Sequence, residues 1–269
     1  MTTQYSGSGD PARSLELLWG ARKRPTRGPR PGLSVERIVR TAVELADAGG
    51  LEALSMRRVA EQLGVGAMSL YTYVPAKAEL LDLMLDTVLG EVARPGDAEG
   101  GWRAGLELRA REDWALYHRH PWVLQISGTR ALLGPNETAL FDATLHAAAG
   151  TGLAGREMVL VVTLVGEYAK GAAKSAVDAA HAERRTGVSD EQWWAARAPL
   201  FEQYFDASRY PTLMQLQASG AFEPLEGAEE AYTLRQALDG FEFGLARVLD
   251  GIEAFVKERR EGKEQHEGR

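Results

Sequence analysis

The chain has 269 residues, a net charge of −7 at neutral pH and no cysteine. This length can bury a sizeable core in one or two domains, and the lack of cysteine excludes disulfides, thiolate metal sites and a cysteine nucleophile. The longest apolar run, at 158–166, is far shorter than the ~20 residues that span a bilayer, and no apolar signal segment opens the chain. We therefore expect a cytoplasmic protein without a membrane partner.

The first part of the chain, residues 1–33, is predicted to be a mobile basic arm. Residues 14–20 hold enough Leu and Trp for one apolar helical turn. This segment is either a surface helix docked on the rest of the protein, or a partner-binding or disordered segment. Residues 21–32 carry five basic residues and three prolines, so they cannot fold alone. We favour an arm that contacts DNA phosphates over a solvated linker, because residues 13–40 carry eight Lys/Arg and only two Asp/Glu. The candidate contacts are Arg22, Lys23 and Arg24.

A helix is predicted next, with Ser34 as its N-cap and Gly49-Gly50 as its end. Glu36 stands in its first turn, where a negative charge is favourable. Its buried stripe follows the spacing i, i+4, i+7, i+8. The stripe consists of Ile38, Ala42, Leu45 and Ala46.

Two short helices joined by a glycine turn follow. Ser55 can cap the first helix, and Gly64 suits the left-handed backbone that ends it. The second helix, 67–74, is too short to be stable alone and must be held by neighbours through Leu70 and Val74. This pattern is typical of a helix-turn-helix, whose second helix enters the DNA major groove. A further helix, 76–92, links this unit to the rest.

The remainder of the chain also predicts helices, so we expect an all-α fold. The predicted spans are 102–120, a short segment at 121–127, 136–149, 157–185, 189–205, 211–219 and 228–260. In the last of them apolar residues repeat every seven positions, which predicts lengthwise packing on another helix, either in the intrachain core or, as we favour, in a homodimer. The repeat consists of Leu234, Leu238, Phe241, Leu245, Val248, Ile252 and Phe255.

Residues 34–90 resemble the DNA-binding domain of the tetracycline-repressor (TetR) family of bacterial transcription regulators. The resemblance rests on the run LSMRRVAEQLGV, on SLYTYV with Pro75 and Lys77, and on the LLD that opens the next helix. It implies a helix-turn-helix domain at 34–94 and a helical effector-binding and dimerisation domain at 95–269. It also implies a homodimer, a double-stranded DNA operator and a small-molecule effector.

The resemblance implies DNA contacts on both helices of the helix-turn-helix. Arg57 is placed for a base or phosphate contact, and its guanidinium can pair bidentately with guanine. Ala67 and Met68 can only touch a thymine methyl, so sequence readout depends on the polar groove-facing residues. For Tyr71 the alternative is core packing. The complete implied set is Ser55, Arg57, Ala67, Met68, Ser69, Tyr71, Thr72, Tyr73 and Lys77.

Residues 114–130 resemble the C-terminal domain of the tetracycline repressor itself, through His118-Arg119 and the triplet 128–130. The position that corresponds to that protein's magnesium–tetracycline histidine is Ile126, which cannot bind metal, so we predict no metal and no cofactor. The effector should be small and largely apolar. For each candidate lining residue, core packing is the competing interpretation. The candidates are Trp114, Tyr117, Gln125, Thr129, Phe141, His146, Met158, Tyr168 and Trp193.

The patterns that might indicate an enzyme are weak. The G-x-G at 64–66 lies in a helix–helix turn and not after a strand, and His118-x-His120 lacks the frame of an H-E-x-x-H zinc site. The carboxylates of Glu112, Asp113, Glu157, Glu167 and Asp178 are scattered. We predict a repressor that a ligand releases from a palindromic operator. The alternatives are a constitutive DNA-binding or architectural protein without an effector and a helical ligand-binding enzyme.

Overall fold

The computed structural model describes residues 4–20, 33–95, 99–128, 130–223 and 232–267. Within these residues there are eleven α-helices, two 3₁₀ helices and one pair of two-residue strands, which confirms the predicted all-α class. None of the described helices is long and apolar enough to cross a membrane. The predicted arm residues Arg22, Lys23 and Arg24 and the pocket candidate Thr129 lie outside the described residues.

The helices follow the predicted order. They are α1 Pro11–Leu18, α2 Val35–Ala53, α3 Met56–Leu63, α4 Ala67–Tyr71, α5 Lys77–Leu89, α6 Gly101–Arg119, α7 Pro135–Ala149, α8 Gly155–Thr186, α9 Asp190–Tyr204, α10 Pro211–Ala218 and α11 Tyr232–Glu267. The 3₁₀ helices are Pro121–Gln125 and Ala207–Arg209, and the strands are β1 Gln4–Tyr5 and β2 Ile126–Ser127.

The described residues form two compact units. The first contains the residues up to Gly171 together with those from Leu245 onward, and the second contains those of Ala172–Gly244. These two units reflect which residues contact each other, and their limits differ from those of the predicted domains at 34–94 and 95–269. The predicted domain boundaries stay a prediction.

The helices α2 to α4, which we call the head, close over a small core. The hydroxyl groups of Ser34 and Ser55 accept hydrogen bonds from the third amides of α2 and α3, each at 3.2 Å, so both predicted caps are confirmed. Gly50 has a φ of 71° and interrupts α2, although the chain regains one helical turn up to Ala53. Leu70 and Val74 are fully buried, as predicted.

The helix α4 is shorter than predicted. It ends at Tyr71 instead of Val74, and the amides of Tyr73 and Val74 both donate to the carbonyl of Leu70 at 2.9 Å. Pro75 explains the early end, because the residue before a proline is driven away from helical backbone angles.

The predicted mobility of residues 1–13 is wrong for the part that the structure describes. The strand β1 pairs in parallel with β2, with Gln4 opposite Ile126 and Tyr5 opposite Ser127. The side chain of Asp10 caps α1, which therefore begins earlier than the predicted turn at 14–20. Leu17 and Leu18 are buried against the core, so the interpretation of a docked surface helix is confirmed.

The helix α5 holds this N-terminal segment through buried carboxylates. Asp82 accepts hydrogen bonds from the amide of Gly7 at 2.9 Å and from the hydroxyl of Ser14 at 3.0 Å. Glu79 accepts from the amide of Asp10 at 3.0 Å. A buried carboxylate is costly unless such donors surround it, so the N-terminal segment and α5 stabilise each other.

The repeat in α11 is used partly within the chain. Phe241, Leu245 and Ile252 are at most 4% exposed in the single chain, so these three pack within it. Leu234, Leu238, Val248 and Phe255 remain partly accessible, and their part in a dimer interface stays a prediction. A seven-residue repeat reports packing against a helix and does not distinguish a helix of the same chain from one of a partner.

The substitution Asp82→Asn tests the buried carboxylate. Because burial raises the pKa of Asp82, the folded protein keeps the carboxyl proton to a higher pH than the unfolded chain does. Asp82 therefore stabilises the fold below the unfolded pKa, and this contribution is lost as the pH rises through the folded pKa. We expect the difference in unfolding free energy, wild type minus Asp82→Asn, to be larger at about pH 4 than at about pH 7. Urea unfolding at both values measures it, and a constant difference would contradict the prediction.

Candidate DNA-binding surface and effector cavity

The α3–α4 pair presents a surface for DNA on a rigid base. Gly64 ends α3 in the left-handed region with a φ of 70°, as predicted, and the amide of Val65 donates to the carbonyl of Ala60 at 3.0 Å. Val59 and Leu70, both fully buried, fasten the two helices to the core. Five residues cannot form a stable helix in isolation, so α4 depends on this packing for its position.

The outward face of α4 carries most of the predicted DNA residues. Met68 is 78% exposed and Tyr71 is 42% exposed, so the alternative of core packing is excluded for Tyr71 in the single chain. Ser69 and Thr72 are also exposed, and the hydroxyl of Thr72 donates to the carbonyl of Ser69 at 2.7 Å. Ala67 is half-buried. The face thus combines small, apolar and hydroxyl groups, a composition that fits the floor of a major groove.

Arg57 extends from the first turn of α3 into solvent. Its side chain is 86% exposed and pairs with Glu61 at 2.8 Å. Water screens an exposed pair of this kind, so the guanidinium can leave Glu61 for a base or phosphate at small cost. Ser55 lies at the same end of α3 but uses its hydroxyl as an acceptor for the cap. The neighbouring Arg58 donates to the carbonyl of Ala53 at 3.2 Å.

Two of the predicted DNA contacts, Lys77 and Tyr73, have structural roles as well. The ammonium group of Lys77 donates to the carbonyl of Leu54 at 2.9 Å, and partial burial lowers the pKa of Lys77. Two of its three N–H groups remain for a phosphate. Tyr73 was predicted to face outward, but it is half-buried and packs on the core. The short length of α4 explains this, because Tyr73 already belongs to the turn.

A cavity of about 340 Å³ lies in the first compact unit, between α5, α6, the segment 123–128, α7 and α8. Its apolar lining includes Leu85 and Leu89 of α5, Ile126 of β2, and Leu140 and Phe141 of α7. Its volume lies in the range of ligand sites. Ile126 occupies the place that the resemblance assigns to a metal-binding histidine, and no group of metal-ligating side chains occurs among the described residues.

Charged groups line the same cavity, in addition to the few polar groups expected in a largely apolar pocket. The guanidinium of Arg109 donates to the carboxylate of Asp113 and to the hydroxyl of Thr144, each at 2.9 Å. Burial, reinforced by the Asp113 carboxylate, raises the pKa of Tyr117, so its phenol stays neutral. Glu137, Glu167 and Lys170 complete the polar lining. The cavity therefore fits a ligand with both an apolar face and hydrogen-bonding groups.

Of the nine predicted pocket residues, Tyr117 and Phe141 line this cavity. Five others in the first compact unit do not belong to its lining. These are Trp114, Gln125, His146, Met158 and Tyr168. Trp193 lies in the other compact unit and is 41% exposed.

The sequence reasoning missed the polar lining. Asp113 and Glu167 were interpreted as scattered carboxylates, and Arg109 and Thr144 were not singled out. The spacing of four residues between Arg109 and Asp113 is the usual spacing of an exposed helical pair, so it gave no sign of burial. The packing of α6 against its neighbouring helices places the side chains of Arg109 and Asp113 in the cavity lining.

His120, the second histidine of the 118–120 pair, stabilises the fold. The ring of His120 is 4% exposed and lies 2.7 Å from Asp47 of α2 and 3.2 Å from Glu91, which follows α5. The indole of Trp122 also donates to Asp47 at 2.7 Å. These contacts join the head to the helices that surround the cavity.

Comparison with protein families gives two matches along the chain. The family described as "Bacterial regulatory proteins, tetR family" matches residues 38–84, which include α3 and α4. The family described as "Tetracyclin repressor-like, C-terminal domain" matches residues 94–256. The first match covers the candidate DNA-binding surface, and the second covers α6, α7 and α8, which line the cavity.

Individual proteins resemble the whole chain. The HTH-type transcriptional repressor DrrR1 of Streptomyces coeruleorubidus is 46% identical over 260 residues, which are 96% of this chain and 92% of that protein. The class C tetracycline repressor of Escherichia coli is 27% identical and covers 82% of this chain and 91% of its own length. The TetR family protein ActR of Streptomyces coelicolor, solved in complex with actinorhodin, has a TM-score of 0.66 and 28% identity over 84% of this chain and 97% of that chain.

The substitution Arg57→Ala tests the DNA-binding surface. Because Arg57 is the exposed cation on the first turn of α3, we expect its loss to weaken operator binding by ~1–3 kcal/mol and to reduce base preference. Fluorescence anisotropy with operator variants measures both. Glu61→Gln is the matched control, since it frees the guanidinium without removing it. Unchanged affinity and base preference for Arg57→Ala would remove this assignment.

Proposed function

Since this chain belongs to the TetR family of bacterial transcription regulators, we propose that it is a repressor that a small molecule releases from a palindromic operator. It is a DNA-binding regulator and not an enzyme, as its relatives and both family matches indicate. The observation that supports the proposal most directly is the exposed face of α4, with Arg57 beside it, fixed on a buried core.

Two copies of the chain would read the operator together. A symmetric dimer presents its two α4 helices to successive major grooves, ~34–36 Å apart, and a palindromic site mirrors that symmetry. Arg57, Ser69 and Thr72 would read base edges, while Tyr71 and Lys77 would contact phosphates. Phosphate contacts position the protein, and base contacts supply sequence preference.

The cavity would receive the effector. The structure of ActR, which has a similar fold, contains actinorhodin. This complex supports the proposal that the helical domain of the present chain binds a small molecule. In the present chain the lining combines leucine and phenylalanine with Arg109, Tyr117 and Glu167. We therefore revise the expected effector from a largely apolar molecule to one with an apolar ring face and several polar groups.

The helix α5 would transmit binding to the head. Leu85 and Leu89 near its C-terminal end line the cavity, while Lys77 at its first residue is bonded to Leu54 of the head. A ligand that prefers one position of α5 shifts the population of head orientations. A coupling of ~1–3 kcal/mol is typical of such regulation and changes DNA affinity about 5- to 150-fold.

We propose that the second copy of the chain binds in an open groove between α8 and α11. It has a volume of about 390 Å³ and a mostly apolar lining that includes Leu160, Leu164, Val248 and Phe255. Leu160 is 60% exposed and Leu164 is 50% exposed in the single chain. Val248, Ile252 and Phe255 of the predicted α11 repeat line the groove, so the dimer contact would use this part of the repeat together with the exposed leucines of α8.

A charge placed in this groove should separate the copies. We expect Leu164→Glu to raise the dimer dissociation constant at least about tenfold, because the two-fold axis would bury two unpaired carboxylates. Sedimentation velocity measures the change, and operator affinity should fall with it. Leu15→Glu, on an exposed leucine of α1, is the control. A wild-type protein that is monomeric at micromolar concentration would contradict the proposed dimer.

The decisive experiment is recovery of the operator. Sequencing of genomic fragments retained by the purified protein should yield a palindrome, and gel shifts with that palindrome should show saturable binding that falls steeply with salt. Compounds that raise the melting temperature are then tested for release of the fragment. Retention of no specific fragment would refute the regulator mechanism, while binding that no stabilising compound reverses would favour a constitutive DNA-binding protein.

A further inference from the structure

The turn before α7 contains a strained residue. In the described part of the chain, Leu133 is the one residue other than glycine with a positive φ, at 59°. Here the Cβ of an L residue crowds the backbone, and leucine rarely adopts this conformation. The Leu133 side chain is 57% exposed, so its burial does not explain the strain. The contacts of the backbone must hold it.

Both peptide groups of Leu133 are held by side chains from other parts of the chain. Its amide donates to the carboxylate of Glu137 at 2.8 Å, and its carbonyl accepts from the indole of Trp19 at 2.9 Å. Glu137 lines the cavity, and Trp19 directly follows α1. We call Trp19, Leu133 and Glu137 the Leu133 latch.

The next residues of the turn are fastened to α5. Gly134 approaches Asp86 so closely that a Cβ at this position would overlap the carboxylate. Asp86 accepts from the amides of Asn136 and Glu137, each at 3.0 Å. The carboxylate thus occupies the N-terminus of α7, where it satisfies amides that lack helical partners.

The N-terminal segment donates hydrogen bonds both to the cavity wall and to α5. The hydroxyl of Ser6 donates to the carbonyl of Ser127 at 3.0 Å, next to the cavity wall at Ile126. One residue later, the amide of Gly7 donates to Asp82 of α5. The latch, the cavity wall and α5 are therefore connected through one short stretch of chain.

We propose that the Leu133 latch couples occupation of the cavity to the N-terminal segment and α5. The inference rests on the proposed function, in which the cavity receives the effector. An amine or hydroxyl donor of the ligand takes the Glu137 carboxylate from the Leu133 amide. The strained backbone then returns to a negative φ, and its carbonyl turns away from Trp19. The N-terminal segment loses one of its attachments, and α5 gains freedom.

Preorganisation decides whether opening the latch strengthens or weakens operator binding. While the latch is closed, α5 and the head are held in one orientation, so little conformational freedom remains to be lost when DNA binds. An open latch leaves more head orientations and weakens operator binding. A ligand that opens the latch thereby favours release of the operator.

Four variants test the latch. Glu137→Met keeps the length of the side chain and removes the acceptor, whereas the control Glu137→Gln removes the charge and keeps an acceptor. Trp19→Phe removes the indole donor. The double variant Leu133→Gly/Glu137→Met replaces the strained residue with glycine, which adopts a positive φ without the carboxylate. The readouts are the dissociation constant for the operator and amide hydrogen exchange of residues 126–134.

We expect Glu137→Met to weaken operator binding about three- to tenfold, the range of one lost hydrogen bond, and to speed exchange at 126–134. Trp19→Phe should change both in the same direction, Glu137→Gln should keep the slow exchange at 126–134 because the amide oxygen still accepts from Leu133, and the glycine variant should recover wild-type affinity. Unchanged affinity or unchanged exchange in Glu137→Met would overturn the inference. A wild-type protein that binds no operator would instead refute the proposed function, so the two failures are distinguishable.

Discussion

The requirement that a buried carboxylate be surrounded by donors organises the first compact unit. Glu79, Asp82 and Asp86 lie within two turns of α5, and each is at most 4% exposed. Glu79 and Asp82 accept hydrogen bonds from the N-terminal segment, and Asp86 accepts them from the first turn of α7, although Oε2 of Glu79 is buried without a partner. Without those donors the buried carboxylates would destabilise the fold, so the packing of α5 depends on the N-terminal segment and on α7.

This arrangement makes α5 the connection between the candidate DNA-binding surface and the cavity. Its first residue bonds the carbonyl of Leu54 in the head, its middle holds the N-terminal segment, and Leu85 and Leu89 line the cavity. A second connection joins the head to the segment after α6, where His120 and Trp122 meet Asp47. The proposed coupling between ligand and DNA would therefore pass through packed side chains and hydrogen bonds.

The cavity and the α8–α11 groove differ in chemistry, and the difference fits their proposed roles. The cavity combines apolar walls with Arg109, Tyr117 and Glu167, whose polar groups can orient a ligand. The groove is mostly apolar and open, as expected of a contact with a second copy. Both use α8, so ligand binding and dimer geometry share a helix.

The helix-turn-helix could be predicted from residue order alone, because caps, apolar spacing and the left-handed Gly64 act within a few residues of each other. The family and the order of the helices could be predicted in the same way. Three features became visible only in the folded chain: Asp113 and Glu167 line the cavity, residues 4–20 are folded onto α5, and Leu133 is held at a positive φ. Burial and strain depend on partners distant in the chain, about which local periodicity carries no information.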